Sequence, residues 1–139
     1  MRTLPLAALA LIAAFSWSIH LGAQQAPSHG QGLTGNLEHG KHLEHVAMCI
    51  ECHSPRNENG DIITGREFLG ASIPAKVNGW ATFAPRNRGL LGYDDELAMR
   101  LLTQGAIGLD GRQLQRPMPR FRMTPEDAAD VITFMRSMK

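Results

Sequence analysis

Aromatic side chains are scarce, at 6% of the 139 residues, with a single tyrosine and two tryptophans. Glycine and proline together are far more frequent, at 14 and 8 positions. That is thin material for a core built from protein alone, and a large apolar cofactor would make up the deficit. Charge of one sign is also lacking. Lys and Arg number 14 against 13 Asp and Glu, a formal net charge of +1. Such a balance lacks the broad basic footprint of a nucleic-acid binder or of a protein drawn to an anionic membrane surface. No apolar run reaches the roughly 20 residues that span a bilayer as a helix. No stretch repeats, and no tract is of low complexity. Cysteine occurs only twice.

The N-terminal segment has the layout of an export signal. Arg2 gives a short positive start, and Leu4 to Phe15 is apolar except for Pro5. Small residues follow, as Ser16 and Ser18 around Trp17 and then Gly22-Ala23. This is the pattern of a cleaved secretory signal peptide. Residues 1–23 are therefore expected to be removed, although SWS and LGA both offer cleavage points. The rival reading is an uncleaved anchor facing the periplasm, for which Leu4 to Ile19 is short. Loss of Arg2 with the leader leaves a formally neutral chain. The expected location is exported or periplasmic. Residues 24–35 read as a flexible mature N-terminus and 36–139 as one domain.

Both cysteines fall in MCIECH, as Cys49 and Cys52, followed at once by His53. A disulfide across two residues would constrain little of the unfolded chain. A thioredoxin-like pair needs a preceding apolar strand in a βαβ pattern, which is absent here. A zinc site needs further paired ligands, and there is no second cysteine pair. C-x-x-C-H is also the motif of covalent haem attachment, and that reading uses every residue. On a helix, positions 49, 52 and 53 share one face, so two thiols can bond the haem vinyl groups while His53 faces the iron. The expected cofactor is one covalently attached haem c. Attachment takes place outside the cytoplasm, in agreement with the leader.

Iron held by one histidine needs a second ligand or an open site. His20 and His29 lie in or beside the leader. His39, His42 and His45 lie on the helix before the motif, too near to reach the far face of the ring, and read as a solvated flank. A surface metal site from His39 and His42 is the sharper and less favoured reading. Among the methionines Met118 stands out, in RPMPRF, with a proline on each side that stiffens the backbone and prevents a helix. Met123 is the rival, yet it suits a hydrophobic staple before the Thr124 N-cap and Pro125. An iron with no methionine ligand is the third alternative.

The pattern around these residues is helical. Asn36 can cap a helix from Leu37 through Cys52, with Leu37, Gly40, Leu43 and Ala47 as its packing stripe. Asp94 caps DELAMRLLTQ, which Gly105 ends. The last helix begins after Thr124, with Ala128, Val131, Ile132 and Met135 at i, i+3, i+4 and i+7 spacing. The first and last helices are expected to cross near Gly40, beside Val131 or Phe134. Between these elements the chain is loop-rich, and Asn59-Gly60 offers a turn for a short hairpin.

Three segments together resemble the class I monohaem c-type cytochromes, and the haem domains that serve bacterial quinoprotein dehydrogenases. They are GKHLEHVAMCIECH, APRNRGL from Ala84 to Leu90, and PMPRFRMTPEDAADVITFMRSM. The resemblance covers about Gly35 to Lys139. It implies an all-α class I cytochrome c fold, with crossed terminal helices and with helices and loops wrapped around one haem. It implies Cys49 and Cys52 on the vinyl groups, His53 as the proximal iron ligand and Met118 as the distal one. The Pro85 carbonyl would accept a hydrogen bond from His53, and Trp80, Arg86 and Arg88 would approach the haem propionates. The segment from Ser54 to Phe83 is longer than in the smallest members, so its path, and which of Phe68, Leu69, Ile73 and Trp80 touch the haem, stay open.

With both axial positions filled, the implied function is electron transfer between exported redox partners rather than catalysis. The alternatives are a fixed electron-transfer subunit of a dehydrogenase or oxidase, and a gas-binding sensor or enzyme with a labile distal site. Arg112, Arg116, Arg120 and Arg122 surround Met118 with no acid among them, and so form a candidate docking patch for an acidic partner.

Overall fold

The computed structural model describes residues 33–139. The expected leader, most of the expected flexible N-terminus, His20 and His29 lie outside them. Four helices carry the described chain: α1 (Leu37–Val46), α2 (Cys49–His53), α3 (Asp95–Thr103) and α4 (Pro125–Ser137). A two-residue pair of strands, β1 (Ala71–Ser72) and β2 (Phe83–Ala84), joins antiparallel with Ala71 opposite Ala84.

The helix starts follow from side chains that replace missing helical acceptors. Asn36 accepts from the His39 N–H, Asp94 from the Leu97 N–H and Thr124 from the Asp127 N–H. Pro125 stands at the first position of α4, where its absent N–H costs nothing. At the end of α3 the chain turns through Gly105 at φ +93°, and the Ala106 N–H bonds back to the Leu101 carbonyl. That bond closes a Schellman-type end, which favours glycine.

α1 and α4 pack against each other through Gly40. A Cβ at Gly40 would stand 2.0 Å from the Asp130 carbonyl oxygen and 2.4 Å from its carbon. Both are backbone atoms, so only a displacement of one helix could make room. Asp130 adds a polar clasp at this crossing, accepting from the Asn36 N–H at 2.6 Å and bonding His39 Nδ1 at 2.8 Å. Those two contacts, His39 first, hold its carboxyl below the usual carboxylate range. Gly40→Ala gains roughly 1 kcal/mol of helix propensity in isolation. Here the contact should reverse the sign and destabilise the protein by about 3 kcal/mol, at the upper end of ordinary overpacking costs. A chemical-denaturation midpoint equal to or above wild type would show that the helices do not meet at this residue.

The expected single helix from Leu37 through Cys52 is in fact two. α1 ends at Val46, Met48 is left-handed at φ 59°, and α2 starts at Cys49. The break is held from within. Glu44 Oε1 accepts the Ile50 N–H at 3.0 Å, in place of a helical carbonyl. The Asn59-Gly60 stretch is a turn closed by one bridge, Arg56 to Ile62, and not a regular hairpin. Asn57 Oδ1 accepts from the Asn59 and Asp61 N–H groups and fixes the turn.

The core is built of small and aliphatic residues. Ala98, Leu102, Ala128, Val131, Ile132 and Met135 are buried, with Phe68 as the one large buried aromatic. Phe68 meets Phe134 edge to face at 6.4 Å. The long connection between α2 and β2 folds back under α2. Ser54 Oγ accepts the Phe68 N–H, the Gly70 N–H donates to the His53 carbonyl, and the Phe68 carbonyl accepts from Asn87 and Arg88. Gly70, at φ +89°, would bring a Cβ to 2.9 Å from the Arg86 nitrogen. A glycine there lets β2 and the residues after it lie directly against the segment that leads into β1.

Candidate functional site

A cavity of about 860 Å³ opens between α2, the β2–α3 connection, α3, α4 and the 110–121 segment. Of the residues singled out in the sequence, Cys49, Cys52, His53, Pro85, Arg86 and Met118 line it. Trp80 does not. It lines a smaller recess of about 310 Å³ with Arg116, Pro117, Met118, Pro119 and Arg120. Arg88, named with Trp80 and Arg86, turns away to Glu67 at 3.3 Å and to the Gly65 carbonyl. Ile73 reaches the cavity, whereas Phe68 belongs to the core.

The His53 ring is buried and fixed. Its Nδ1 is 2.7 Å from the Pro85 carbonyl oxygen. A carbonyl only accepts, so Nδ1 carries the proton and Nε2 keeps its lone pair. Burial pulls the imidazole below its ordinary pKa, and the Pro85 bond opposes that less strongly. The ring is thus neutral at neutral pH, with one basic nitrogen and a set orientation. This is the state that a metal-ligating histidine requires.

The two thiols differ. Both are free, with Cys52 exposed and Cys49 only partly so. Burial, with the Glu44 charge second, pushes the Cys49 thiol up to about 12. Cys49 is therefore a neutral thiol at the apolar wall. Three methionines line the cavity: Met48, Met118 and Met135. Met135 is buried in the core on α4, and Met48 is exposed on the same segment as the cysteines. Met118 alone stands on a loop flanked by prolines. Met123 packs against the core and does not line the cavity. Among the described residues, no cluster of three or more His, Cys, Asp or Glu side chains is placed to hold a metal ion.

The arginine patch divides. Arg112 pairs with Asp110 at 2.7 Å. Arg122 lies over Gly105, where a Cβ would meet its guanidinium at 3.2 Å. Arg116 and Arg120 both line the small recess, and neither has an ion-pair partner among the described residues.

Glu44 is the functional candidate that the sequence reading missed. It is 4% exposed, although it lies in a helix rich in charge. Its spacing, four after Gly40, places it on the packing stripe, and that was the available signal. Desolvation raises its pKa; the Ile50 N–H and His45 pull it down, and Glu51 adds to the rise. A carboxyl raised on folding keeps its proton where the unfolded chain has lost it, so this group makes stability fall as pH rises from the ordinary carboxylate value through the folded one. Glu44→Gln retains an acceptor for Ile50 and should remove that part of the slope. Urea midpoints across the weakly acidic range test it: parallel pH profiles for variant and wild type would contradict the assignment.

No protein-family model matches the chain, and no curated protein matches it.

Proposed function

We propose that this protein is a class I c-type cytochrome, an exported electron carrier with one covalent haem. The single observation that carries the reading is the neutral His53, hydrogen-bonded to Pro85 at 2.7 Å, beside both cysteines on the wall of one large apolar-lined cavity. The residues present fit the group. Cys49 and Cys52 stand one helical turn apart for two thioether bonds, His53 offers Nε2, and Met118 on a separate loop offers a sulfur. A cavity of about 860 Å³ is large among ligand pockets, which run to about 1,000 Å³.

When bound, haem supplies one-electron redox chemistry at the iron. The residues around it have separate duties. The Pro85 carbonyl orients His53 and makes it a better donor. Pro117 and Pro119 restrict the loop that carries Met118, so its sulfur keeps one position in both oxidation states. Ala98, Leu102, Val131 and Ile132 present an apolar wall that excludes water. Histidine with methionine favours the reduced state more than two histidines would, so the reduction potential is expected to be comparatively high.

The decisive experiment has two parts: acid–acetone extraction of one sample to test for covalent haem, and a reduced-minus-oxidised spectrum of the untreated protein followed by exposure of its ferrous form to carbon monoxide. A covalent haem c spectrum without rapid carbon monoxide binding is the expected result. Covalent haem with rapid binding would favour a sensor or enzyme, and no covalent haem would remove the reading altogether. Whether the carrier is a free shuttle or a fixed subunit of a dehydrogenase or oxidase would follow from gel filtration of the native periplasmic extract.

A further inference from the structure

The histidine flank of α1 takes no part in the electron-carrier reading. His39, His42 and His45 are all exposed, and none of them lines the large cavity. Spacing alone does not distinguish one pair of them from another. The contact with α4 does. His39 Nδ1 lies 2.8 Å from Asp130 Oδ2, across the helix crossing. The Asp130 carboxyl, held below the usual range by His39 and the Asn36 N–H, is an ionised acceptor. A carboxylate only accepts, so Nδ1 carries the proton and Nε2 keeps the lone pair of the ring. Pairing with a carboxylate in this way fixes the tautomer of metal-ligating histidines and raises their basicity.

His42 follows one turn later. Its ring stacks on that of His39, with centroids 6.5 Å apart and planes at 20°. Among the described residues no hydrogen bond or ion pair holds His42, so its ring can turn about its side-chain bonds toward a shared ion. Residues three apart on a helix are neighbours. The same spacing carries paired metal ligands in helical bundles. Glu38, four before His42, lies on that face and adds negative charge, whereas Lys41 falls on another.

We propose that His39 and His42 form a surface site for a divalent copper ion. His39 Nε2 and one imidazole nitrogen of His42 are the protein ligands, water completes the coordination, and Asp130 is the positioning residue behind His39. The site is separate from the haem cavity, and the inference does not rest on the carrier reading. Two nitrogens with water oxygens suit Cu²⁺, which takes a tetragonal set of N and O ligands and stands highest in affinity among the first-row divalent ions. Zn²⁺ is held more weakly by the same pair. Half of the site is already built, because the helix crossing locks His39 and only His42 loses freedom on binding. The ion bonds Nε2 and leaves the Nδ1–Asp130 bond in place.

The test uses the purified protein, haem included, in its oxidised form so that it cannot reduce the copper. It is titrated with Cu²⁺ and followed by electron paramagnetic resonance. One equivalent should give a copper signal split by two nitrogens. His42→Ala should lose most of the affinity and leave splitting by one nitrogen. Asp130→Asn keeps an acceptor for His39 without the charge, and should weaken binding about 10–100-fold while both nitrogens remain. His45→Ala should change neither property. Unchanged affinity in His42→Ala would overturn the proposal. Equal losses in His39→Gln, His42→Ala and His45→Ala would also overturn it and leave only adventitious binding to exposed histidines. Asp130 accepts the Asn36 N–H at the start of α1 as well, so Asp130→Asn carries a folding risk. If that variant folds poorly, the exposed His42 still decides the matter through His42→Ala.

Discussion

Replacing Cys49 and Cys52 together with alanine is expected to yield a chain without covalent haem and with little native structure. The reason lies in what surrounds the cavity. Ala98, Leu102, Val131, Ile132 and Met135 are core residues and cavity lining at once. Among the described residues the core has one large buried aromatic, Phe68. A domain of this size has a net stability of about 5–15 kcal/mol. Without a group seated there, the apolar side chains lining a cavity of about 860 Å³ would face water, and burial of such side chains is the main source of that margin. Under the proposed attachment, thioether bonds would hold the haem there even when the chain opens locally, and without them a free haem would be lost whenever α2 frays. The expected outcome is complete loss of haem staining on a denaturing gel and a collapse of the helical circular dichroism signal. The double variant retaining haem through acid–acetone extraction would eliminate the attachment assignment. A variant that loses haem but melts like the wild type would instead show that the core stands on its own.

Much of the helical framework was legible because the signals are local. A cap residue, a proline at the first helical position and a glycine after the last turn each act within four residues, and Asn36, Pro125 and Gly105 do in the structure what their types suggest. The glycine at 40 was legible for a related reason, since an apolar stripe interrupted by glycine implies a close neighbour. What escaped is long-range or depends on a single hydrogen bond. The break at Met48 is stabilised by Glu44 reaching the Ile50 N–H, and no periodicity signals a left-handed methionine inside a helical pattern. The family resemblance groups Arg88 and Trp80 with Arg86 as residues that would approach a propionate. The fold separates them, since Arg88 meets Glu67 and the chain at Ala81 is held to Arg116. The 54–83 connection was open for the same reason. Its course is set by contacts such as Ser54 with Phe68 and Gly70 with His53, which pair residues 14 or more positions apart.

The largest functional effect is expected at Met118. Three methionines line the cavity, but they differ in what they can do. Met135 is committed to the core at 3% exposure, and moving its sulfur to an iron would open a gap between α4 and its neighbours. Met48 sits at the left-handed turn just before Cys49, so it is bound to the same edge of the cavity as His53. Met118 comes from another segment, and its prolines leave few alternative loop conformations. Met118→Ala should therefore abolish the weak near-infrared sulfur-to-iron band of the ferric protein, lower the reduction potential and let the ferrous iron take up carbon monoxide. Met123→Ala should leave all three nearly intact, because Met123 packs on the core before α4 and lies off the cavity. Its cost should be a modest loss of stability, within the usual range of about 2–5 kcal/mol for Met→Ala and toward the lower end because the residue is only partly buried. If Met123→Ala removes the band and Met118→Ala does not, the distal ligand is misassigned while electron transfer stands. If neither substitution changes the spectrum and the wild type binds carbon monoxide rapidly, the iron has a free coordination position, and the protein is a ligand-binding haem protein instead of a carrier.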